Sequence, residues 1–345
     1  MTIAHLMRRS VGKTSLELPV FGFGSAHLGE LYSMVPEAQS MATLDTAWTA
    51  GVRYYDTAPW YGRGLAEHRL GAFLRNKPRA EFHVTTKVGR TLHRPGGPAR
   101  FDRAPWKGGL NFEVNFDYSY DGIMRSYQHA LQRLALDRVD ALVIHDLDPG
   151  FHGDKQAGFV RQLTESGMKA LTELKSAGDI KAFGMGINNN EAFEQVAPLV
   201  DLDFCLVAMP YTLLDQASLH RGMAALQKRG ISAIIGAPFA SGILVTGSAG
   251  PAHYAYGKAS PEVQARVRGI EAVCAVHNVA LPAAALQFVL AHPIVASVIP
   301  GAVTPEEVTQ NLASLAAPIP SAFWADLKAQ GLIVADAPVP QGAPA

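Results

Sequence analysis

Four residues carry side chains that can transfer a proton or form a buried ion pair, and they stand at or just beyond the ends of apolar segments. Asp56, Lys87 and His145 each end such a segment, and Tyr61 follows Asp56 by five residues. A lysine and an aspartate can form a buried pair, and an ammonium group near a phenol favours the phenolate. The tyrosine pKa would then move toward a value that suits proton transfer, and the histidine could orient a carbonyl or hydroxyl oxygen. Together these residues predict proton transfer at a substrate oxygen.

Eight apolar segments, separated by helical patterns, must bring these side chains together. Most are continuous apolar runs, which is typical of strands covered on both faces. The alternation of strands and helices predicts an α/β fold with parallel pairing, and the economical closure is a (β/α)8 TIM barrel. The active site of such a barrel lies at the carboxyl ends of its strands. The predicted strands are Val20–Gly24, Val52–Asp56, Phe82–Lys87, Ala141–His145, Ala182–Ile187, Phe204–Ala208, Ala233–Gly236 and Ser297–Pro300.

Further elements are predicted around this barrel. Asp121 is expected to cap the helix that precedes the fourth strand. A single barrel domain should span residues 1–334, and the tail 335–345, rich in Ala, Pro and Gly, should be disordered. The predicted additions are an N-terminal hairpin over residues 8–19, a long loop over 89–120 after the third strand, an extra helix over 260–277 and a final helix over 321–330.

Composition excludes several function classes. The 345 residues include 30 basic and 30 acidic side chains, so no long-range attraction to nucleic acid or to a membrane surface is expected. No apolar run reaches the roughly 18 residues of a membrane span, and the first residues lack a secretory signal. The two cysteines, Cys205 and Cys274, lie in apolar segments that suit reduced thiols. We therefore expect a cytoplasmic protein with a small-molecule substrate, and leave its oligomeric state open.

Four separate segments resemble, in order, the aldo-keto reductase superfamily. That resemblance implies a (β/α)8 barrel that binds a nicotinamide cofactor. It implies that Tyr61 is the proton donor or acceptor, that Lys87 and Asp56 tune it, and that His145 positions the substrate oxygen. The segments are DTAPWYG from Asp56 with Glu67 beyond it, TTKVG over 85–89, LVIHD over 142–146 and IPGAVTPEEVTQN over 299–311.

Three further segments resemble one branch of that superfamily. They cover residues 117–148, the triplet Phe151–Gly153 and YTLLDQ over 211–216. The branch oxidises sugars at the anomeric carbon and includes L-fucose, D-arabinose and D-threo-aldose 1-dehydrogenases, with pyridoxal 4-dehydrogenase close by. The resemblance implies that Tyr61 acts as base on the C1 hydroxyl while the C1 hydride passes to the nicotinamide, and that a lactone forms.

The chain departs from the commonest family pattern at several cofactor positions. Gly236 stands where many members have a tyrosine that stacks on the nicotinamide, and Ala208 stands at the usual glutamine. Gly301-Ala302 and Glu307 replace the lysine, serine and arginine of NADPH users. A carboxylate would repel a 2′-phosphate and can accept a hydrogen bond from a free ribose hydroxyl, so NAD is favoured over NADP. The alternative is that Glu307 only stabilises a helix N-terminus.

Other contacts follow from the same resemblance. Asn188 is expected at the cofactor carboxamide, although asparagines also suit turns and helix caps. Trp60 is expected as a wall of the substrate site, with core packing as the alternative, and His27 as a substrate contact, with capping or packing as the alternative. The predicted cofactor contacts are Gly24, Ser25, Asp56, Asn188, Pro238, Phe239, Gly242, Leu244, Pro300, Gly301, Ala302, Glu307 and Asn311.

Three rival functions remain to be weighed. A metal-dependent hydrolase could use His145, Asp146, Asp148 and His152, but such sites need ligands that converge from different strands, so no metal is expected. A non-catalytic barrel could bind cofactor to regulate a partner, although the complete set of four residues argues for catalysis. An NADPH-dependent aldehyde or carbonyl reductase of the same family is the remaining enzyme alternative, beside pyridoxal 4-dehydrogenase.

Overall fold

A computed structural model of the chain describes residues 4–96, 103–250, 253–255 and 257–341. Its centre is a parallel sheet of eight strands, β1 to β8, which neighbour one another in chain order. Parallel bridges from Phe21 to Val298 and from Gly24 to Gly301 join the first and last strands. The predicted (β/α)8 barrel is therefore confirmed. The strands are β1 Phe23–Gly24, β2 Tyr54–Asp56, β3 His83–Val88, β4 Ala141–Ile144, β5 Ala182–Ile187, β6 Phe204–Val207, β7 Ser232–Ile235 and β8 Val295–Val298.

The N-terminal hairpin closes one end of the barrel. Arg8–Ser10 pairs antiparallel with Glu17–Pro19, as the sequence predicts. Gly12 donates its amide to Ser232 Oγ at 2.8 Å, so the hairpin lies at the amino end of β7. The hairpin side chains Val11, Leu16 and Leu18 join one apolar cluster with barrel residues Tyr54, Ala141, Val143, Ala182, Phe204, Leu206, Ile234, Ala296 and Ile299. The carboxyl ends of the strands stay open for a site.

Helices surround the sheet at the predicted places. The helices are Glu37–Thr49, Leu65–Leu74, Tyr120–Leu134, Pro149–His152, Gln156–Gln162, Met168–Ala177, Asn190–Gln195, Ala224–Arg229, Ile243–Thr246, Pro261–Val276, Leu281–Leu290, Pro305–Ala316 and Ser321–Ala329. Short 3₁₀ turns cover Ala4–Leu6, Ala26–Gly29, Tyr61–Gly64, Arg79–Glu81, Gly153–Lys155, Ala197–Leu199 and Ala240–Gly242, and π turns cover Leu163–Gly167 and Leu219–Met223.

The cap of the helix Tyr120–Leu134 differs from the prediction. Ser119 is the N-cap, and its hydroxyl accepts the Gly122 amide at 3.2 Å. The Asp117 carboxylate bonds the Ser119 hydroxyl at 2.6 Å and so orients it. Asp121 lies in the first turn, where its charge is favourable without capping. The prediction of Asp121 as the cap was wrong.

The long loop after β3 folds back across the open end of the barrel. It contains an antiparallel hairpin of Arg90–His93 with Glu113–Phe116, and residues 97–102 lie outside the described part. Lys107 donates its amide to the Glu30 carbonyl and Leu110 to the Gly62 carbonyl, both at 2.8 Å. The loop therefore lies against the segments that follow β1 and β2.

The C-terminal segment packs further than the sequence predicts. A hydrogen bond of 2.6 Å between His277 Nε2 and Asp326 joins the end of the helix Pro261–Val276 to the helix Ser321–Ala329. In the tail, Ala337 is buried and donates its amide to the Val334 carbonyl at 3.0 Å. Ala337 thus packs against the folded part of the chain, and the disorder expected for residues 335–345 stays a prediction. Residues 342–345 lie outside the described part.

Across the described ranges, no single helix has both the length and the apolar character to cross a membrane, although the bent pair Pro261–Val276 and Leu281–Leu290 meets those criteria when joined.

Asp140 lies in a buried charged cluster just before β4. Its carboxylate accepts from Arg79 Nη2 at 2.8 Å and from the Val84 amide at 2.9 Å, and it lies 3.3 Å from His83 Nδ1. Burial by itself would raise the pKa of Asp140, but His83, Arg79 and the Val84 amide outweigh burial and hold that pKa well below its usual value.

Asp140→Asn should lower the free energy of unfolding at pH 7 by about 2–3 kcal/mol, because charge-assisted hydrogen bonds are lost. Since the folded pKa is depressed, the wild-type advantage is present above the unfolded pKa of about 3.9 and is lost as pH falls through the folded pKa. Urea unfolding of both proteins measures this difference, which should be about 1 kcal/mol smaller at pH 3 than at pH 7. A difference independent of pH would contradict the ionic role of Asp140.

Candidate active site

Asp56 and Lys87 form a buried ion pair at the open end of the barrel. Lys87 Nζ lies 2.6 Å from Asp56 Oδ1 and also donates to the Thr57 carbonyl at 2.9 Å. Thr85 donates its hydroxyl to the second carboxylate oxygen of Asp56 at 2.6 Å. Both charged side chains are 2% exposed, so each charge depends on the other and on these hydrogen bonds. Two of the four predicted catalytic residues are thus in direct contact.

Tyr61 lies beside this ion pair. Lys87 Nζ is 4.6 Å from the centre of the Tyr61 ring. The ring of His145 stands edge-on to Tyr61 at 6.0 Å between centroids, and that of Trp106 lies at 5.9 Å. The structure therefore brings all four predicted catalytic side chains to one place.

A glycine shapes the turn that presents Tyr61. Gly62 has a φ of 62°, which L side chains rarely adopt. A Cβ at this position would lie 2.6 Å from the Gly29 carbonyl oxygen, so a larger residue would also separate the two loops. The glycine after Tyr61 in the motif is explained by backbone conformation and close approach.

The Tyr61 phenol is held neutral, contrary to the expected effect of the lysine. Burial raises the pKa of Tyr61 well above its usual value, and Asp56 and Asp146 raise it further, with Arg90 opposing them. Because Asp56 neutralises Lys87 at 2.6 Å, little net positive field from that ammonium reaches the phenol. The phenol of Tyr61 therefore carries its proton in this structure, and its role in proton transfer stays a prediction.

A second polar network surrounds His145. Its Nε2 lies 3.2 Å from Asp146, whose carboxylate also accepts from Arg90 Nη2 and from Asn188 Nδ2, each at 2.6 Å. Tyr118 donates its hydroxyl to the His145 carbonyl at 2.6 Å. Burial lowers the pKa of His145 well below its usual value, with Arg90 and Lys87 acting in the same direction. His145 is therefore a neutral imidazole that lies beside Asp146 and can hydrogen-bond a substrate oxygen.

Trp60 lies on the side of the site predicted for substrate. The ring of Trp106 in the long loop packs edge-on against it at 5.6 Å between centroids. Trp60 is half-buried, and the Arg90 guanidinium lies 5.1 Å from the centre of its ring. The two tryptophans form an aromatic wall beside Tyr61, and the role of Trp60 toward substrate stays a prediction.

The residues predicted to hold the cofactor pyrophosphate or ribose lie where β1 meets β8. Gly24 donates its amide to the Pro300 carbonyl at 3.1 Å, and Asn311 donates to the Gly301 carbonyl at 3.3 Å. A Cβ at Gly24 would lie 2.6 Å from the Ile299 carbonyl oxygen, so the two loops pack backbone against backbone. Among the described residues, the buried Ser25 hydroxyl has no hydrogen-bond partner. The buried Ala302 completes this group.

His27 lies with these cofactor positions. A Cβ at Gly301 would lie 2.3 Å from His27 Nδ1, and Glu307 raises the pKa of His27 against the larger lowering effect of burial. Within the described ranges, Nδ1 of this ring has no hydrogen-bond partner. Its neighbours Gly301 and Glu307 are both predicted cofactor positions, and the contact of His27 with substrate stays a prediction.

Glu307 has a local structural role as well. Thr304 caps the helix Pro305–Ala316 and accepts the Glu307 amide at 3.2 Å, while Glu307 Oε2 accepts the Val303 amide at 2.7 Å. This reciprocal arrangement resembles a capping box. One carboxylate oxygen of Glu307 is therefore bonded at the N-terminus of this helix. This supports the alternative that Glu307 stabilises the helix N-terminus, and its contact with a ribose stays a prediction.

The loop after β7 holds the remaining predicted cofactor contacts, Pro238, Phe239, Gly242 and Leu244. Gly242 and Leu244 both donate their amides to the Phe239 carbonyl, at 2.9 and 3.2 Å. Those two amides are thus already bonded.

Gly236 and Ala208 follow directly on β7 and β6. A Cβ at Gly236 would lie 2.7 Å from Leu206 Cδ2, so a side chain there would require Leu206 to move. Ala208 donates its amide to the Ile187 carbonyl at 2.8 Å and extends the pairing of β5 with β6.

A cleft of about 410 Å³ opens beside the ends of β5 and β6. Asn188 lines it together with Met209, Asp215 and Tyr254. The amide nitrogen of Asn188 is bonded to Asp146 at 2.6 Å. Asn188 thus connects this cleft to the network around His145, and its contact with a carboxamide stays a prediction.

The residues considered for a metal site make other contacts. In the part of the chain that the structure describes, no three His, Cys, Asp or Glu side chains are placed to hold a metal ion together. Asp148 caps the helix Pro149–His152, and His152 Nε2 lies 3.0 Å from the Tyr118 hydroxyl.

Sequence reasoning missed several residues of the site. Arg90, Trp106 and Tyr118 were not singled out, and Asp146 was considered only as a metal ligand. An arginine directly after the TTKVG segment and a carboxylate directly after His145 were the available signals. Their pairing depends on the loop after β3 turning inward.

Comparisons with known proteins agree with this geometry. Residues 20–331 match the aldo/keto reductase family. The chain is 39% identical to a pyridoxal 4-dehydrogenase of Microbacterium luteolum, over 94% of this chain and 98% of that protein. It is 37% identical to a D-threo-aldose 1-dehydrogenase of a Pseudomonas species, over 92% and 95% of the two chains. These two enzymes support the predicted branch.

Solved structures show the same fold. An aldo-keto reductase from Bacillus halodurans, in its holo form, superimposes with a TM-score of 0.69 at 24% identity, over 98% of this chain and 99% of that chain. A glycerol dehydrogenase from Gluconobacter oxydans gives a TM-score of 0.70 at 18% identity, over 100% and 99% of the chains. The family uses nicotinamide cofactors, and the non-catalytic alternative gives way to an enzyme. The chain therefore belongs to the aldo/keto reductase family and is an oxidoreductase.

Proposed function

We propose that this enzyme oxidises an aldose of the L-fucose or D-arabinose type at C1 to the lactone, with NAD as the preferred cofactor. The observation that carries the proposal is the convergence of Tyr61, His145 and the Lys87–Asp56 ion pair at the open end of the barrel. The similarity to a D-threo-aldose 1-dehydrogenase favours a sugar as the substrate.

Two side chains, those of Tyr61 and His145, act on the substrate oxygen. When bound, the oxidised nicotinamide supplies the hydride acceptor. Oxidation needs Tyr61 as a base: its phenol first releases a proton to solvent, and the phenolate beside the Lys87 ammonium then accepts the proton of the C1 hydroxyl. His145 hydrogen-bonds the same oxygen as a neutral imidazole, and Asp146 lies 3.2 Å from its Nε2.

The residues where β1 meets β8 fit a dinucleotide. The unpartnered Ser25 hydroxyl and His27 Nδ1, considered within the described residues, offer polar atoms toward a ligand. Gly24 and Gly301 allow the segment after β8 to pack closely against β1 and His27, which brings these polar atoms together. We infer a preference for NAD because Glu307 would repel a 2′-phosphate.

Glu307→Gln should raise the ratio of kcat/KM for NADP to that for NAD by about tenfold, which corresponds to about 1.4 kcal/mol of removed repulsion. The amide oxygen of glutamine can still accept the Val303 amide, so the helix cap survives. Steady-state kinetics and the Kd of each cofactor by fluorescence measure the change. Glu306→Gln is the matched control, since it removes the neighbouring exposed charge from the same helical turn. An equal shift in both variants, or none, would contradict the ribose assignment.

Pyridoxal is a second candidate substrate. The relative at 39% identity is a pyridoxal 4-dehydrogenase, and the wall of Trp60 and Trp106 suits an aromatic ring as well as a sugar. Pyridoxal closes into a cyclic hemiacetal, so both candidates present a carbon that bears one hydroxyl and one hydrogen. The same proton transfer by Tyr61 serves either substrate.

A substrate panel tests the proposal. Absorbance of the reduced nicotinamide is followed with NAD or NADP and with L-fucose, D-arabinose, L-galactose, L-xylose, L-glucose and pyridoxal. Strong NAD-linked oxidation of one aldose is the expected result. Oxidation of pyridoxal alone would select the second candidate. Reduction of simple aldehydes with NADPH, and no oxidation of the panel, would replace the proposal with a carbonyl reductase.

We place the reaction in the cytoplasm. Cys205 and Cys274 are both buried free thiols, and burial raises their pKa to about 12 and about 11 respectively. Such thiols suit a reducing compartment.

A further inference from the structure

Arg90 is a buried cation whose hydrogen-bonding capacity is only partly used. Its side chain is completely buried, and Nη2 donates to Asp146 at 2.6 Å. Nε and Nη1 have no hydrogen-bond partner among the residues that the structure describes. An arginine offers five N–H donors, and leaving buried donors unbonded is costly. Two buried donors without a partner among these residues point to a hydrogen-bond acceptor that a ligand would supply.

The position of Arg90 is beside the reacting groups. The positive charge of its guanidinium is balanced by the carboxylate of Asp146 at 2.6 Å. The same carboxylate lies 3.2 Å from His145 Nε2. Arg90 also acts on the pKa of Tyr61, against the effects of burial, Asp56 and Asp146. A substrate whose reacting oxygen lies between Tyr61 and His145 would have its neighbouring atoms near this guanidinium.

Aromatic rings surround the same group. The Arg90 Cζ lies 5.1 Å from the ring centre of Trp60, 5.1 Å from that of Phe116 and 4.6 Å from that of Phe151. The hydroxyl of Tyr118 is close as well, since Arg90 opposes the rise that burial causes in the pKa of Tyr118. Contacts with ring faces stabilise a cation without using its N–H donors in directed hydrogen bonds. A purely structural Arg90 would rely on its pair with Asp146 and on these rings.

We propose that Arg90 determines substrate specificity by donating Nε and Nη1 to a substrate oxygen that lies one or two carbons from the reacting carbon. In an aldose this oxygen is the C2 hydroxyl, and in pyridoxal it is the ring hydroxyl near the aldehyde carbon. The inference rests on the proposed oxidation of a cyclic hemiacetal. It assigns to the site a preference for substrates that carry this second oxygen.

Matched substrate pairs test the assignment. D-arabinose is compared with 2-deoxy-D-ribose, which is the same sugar without its C2 hydroxyl, and pyridoxal with 3-deoxypyridoxal. The pair is taken from the class that wild type oxidises. Wild type should prefer the oxygenated member by about 10- to 100-fold in kcat/KM, because a site built for a hydrogen bond rejects the analogue that lacks it. In Arg90→Met this ratio should fall below about threefold.

Two further variants make the result decisive. Arg90→Lys keeps the charge without the fork of donors and should give an intermediate ratio, so it tests the assignment where Arg90→Met folds poorly. Arg63→Met is the matched control. It removes another guanidinium near Trp60, at 5.3 Å, whose Nη1 is bonded to the Phe112 carbonyl. It should leave the ratio at the wild-type value.

The outcomes separate this inference from the proposed function. A fall in the kcat/KM preference for the oxygenated substrate that occurs in the Arg90 variants and not in Arg63→Met supports the assignment. An equal loss for both members of the pair in Arg90→Met, with the ratio unchanged, overturns the assignment and leaves the proposed oxidation standing. A wild type that oxidises no hemiacetal overturns the proposed function, and the assignment with it.

Discussion

Tyr61→Phe is expected to lower kcat by about 10³-fold or more while it changes the Kd for NAD by less than about twofold. The phenylalanine ring preserves the packing against Trp106 and the contact with Lys87, so only the hydroxyl is lost. A loss confined to kcat identifies a group that acts on the reacting atoms and does not hold the cofactor. Steady-state kinetics and fluorescence titration with NAD measure the two quantities.

Tyr55→Phe is the matched control for that experiment. Tyr55 is also a buried tyrosine, but its hydroxyl donates to the Val52 carbonyl at 3.0 Å. Its loss should cost about 1 kcal/mol of stability and leave kcat near the wild-type value. A Tyr61→Phe enzyme that keeps more than a tenth of the wild-type kcat would remove the phenol from the mechanism.

Breaking the Lys87–Asp56 pair should produce the largest loss of stability. Lys87→Met or Asp56→Asn alone should lower the free energy of unfolding by about 3–5 kcal/mol, because each leaves an uncompensated buried charge. The double variant should recover much of that loss, since a neutral pair has no unpaired charge. Activity should stay low in all three variants, because Tyr61 loses its charged neighbours. Urea unfolding and kinetics of the same preparations measure both effects.

The Lys175–Asp203 pair provides the comparison. Its nitrogen–oxygen distance is also 2.6 Å, but the lysine is 36% exposed. Lys175→Met should therefore cost no more than about 1 kcal/mol. If the double variant of Lys87 and Asp56 were as unstable as the sum of the single variants, the losses would come from packing and not from unpaired charge.

The barrel could be predicted because its strands are covered on both faces. Segments such as 141–145 and 204–208 read as uninterrupted apolar runs, and the structure places them in β4 and β6. Once the strands are assigned, the polar residues at their carboxyl ends become candidates for the active site. Asp56, Lys87 and His145 were found in this way, since the carboxyl ends of parallel strands share one edge.

The remaining features of the site depend on tertiary contacts. The Arg90–Asp146 pair joins residues 56 positions apart and needs Asp146 in a left-handed conformation, with a φ of 44°. The local sequence pattern predicts neither the contact between these distant residues nor the left-handed backbone at Asp146. The neutral state of Tyr61 likewise depends on burial and on Asp56, which offsets the lysine that alone suggested a lowered pKa.

The N-cap of the helix Tyr120–Leu134 also depends on a contact that the local sequence pattern does not predict. Asp121 and Ser119 are both good capping residues, and sequence pattern ranks them alike. The choice is made by Asp117, which bonds the Ser119 amide at 3.0 Å and its hydroxyl at 2.6 Å.

Transfer of deuterium from C1 tests the central claim most directly. An aldose that carries deuterium at C1, chosen as the best substrate of the panel, is incubated with enzyme and NAD, and the reduced cofactor is analysed by mass spectrometry. We expect NADH that has gained the deuterium and a lactone that has lost it. NADH without the label, or a product that keeps deuterium at C1, would contradict oxidation at the anomeric carbon.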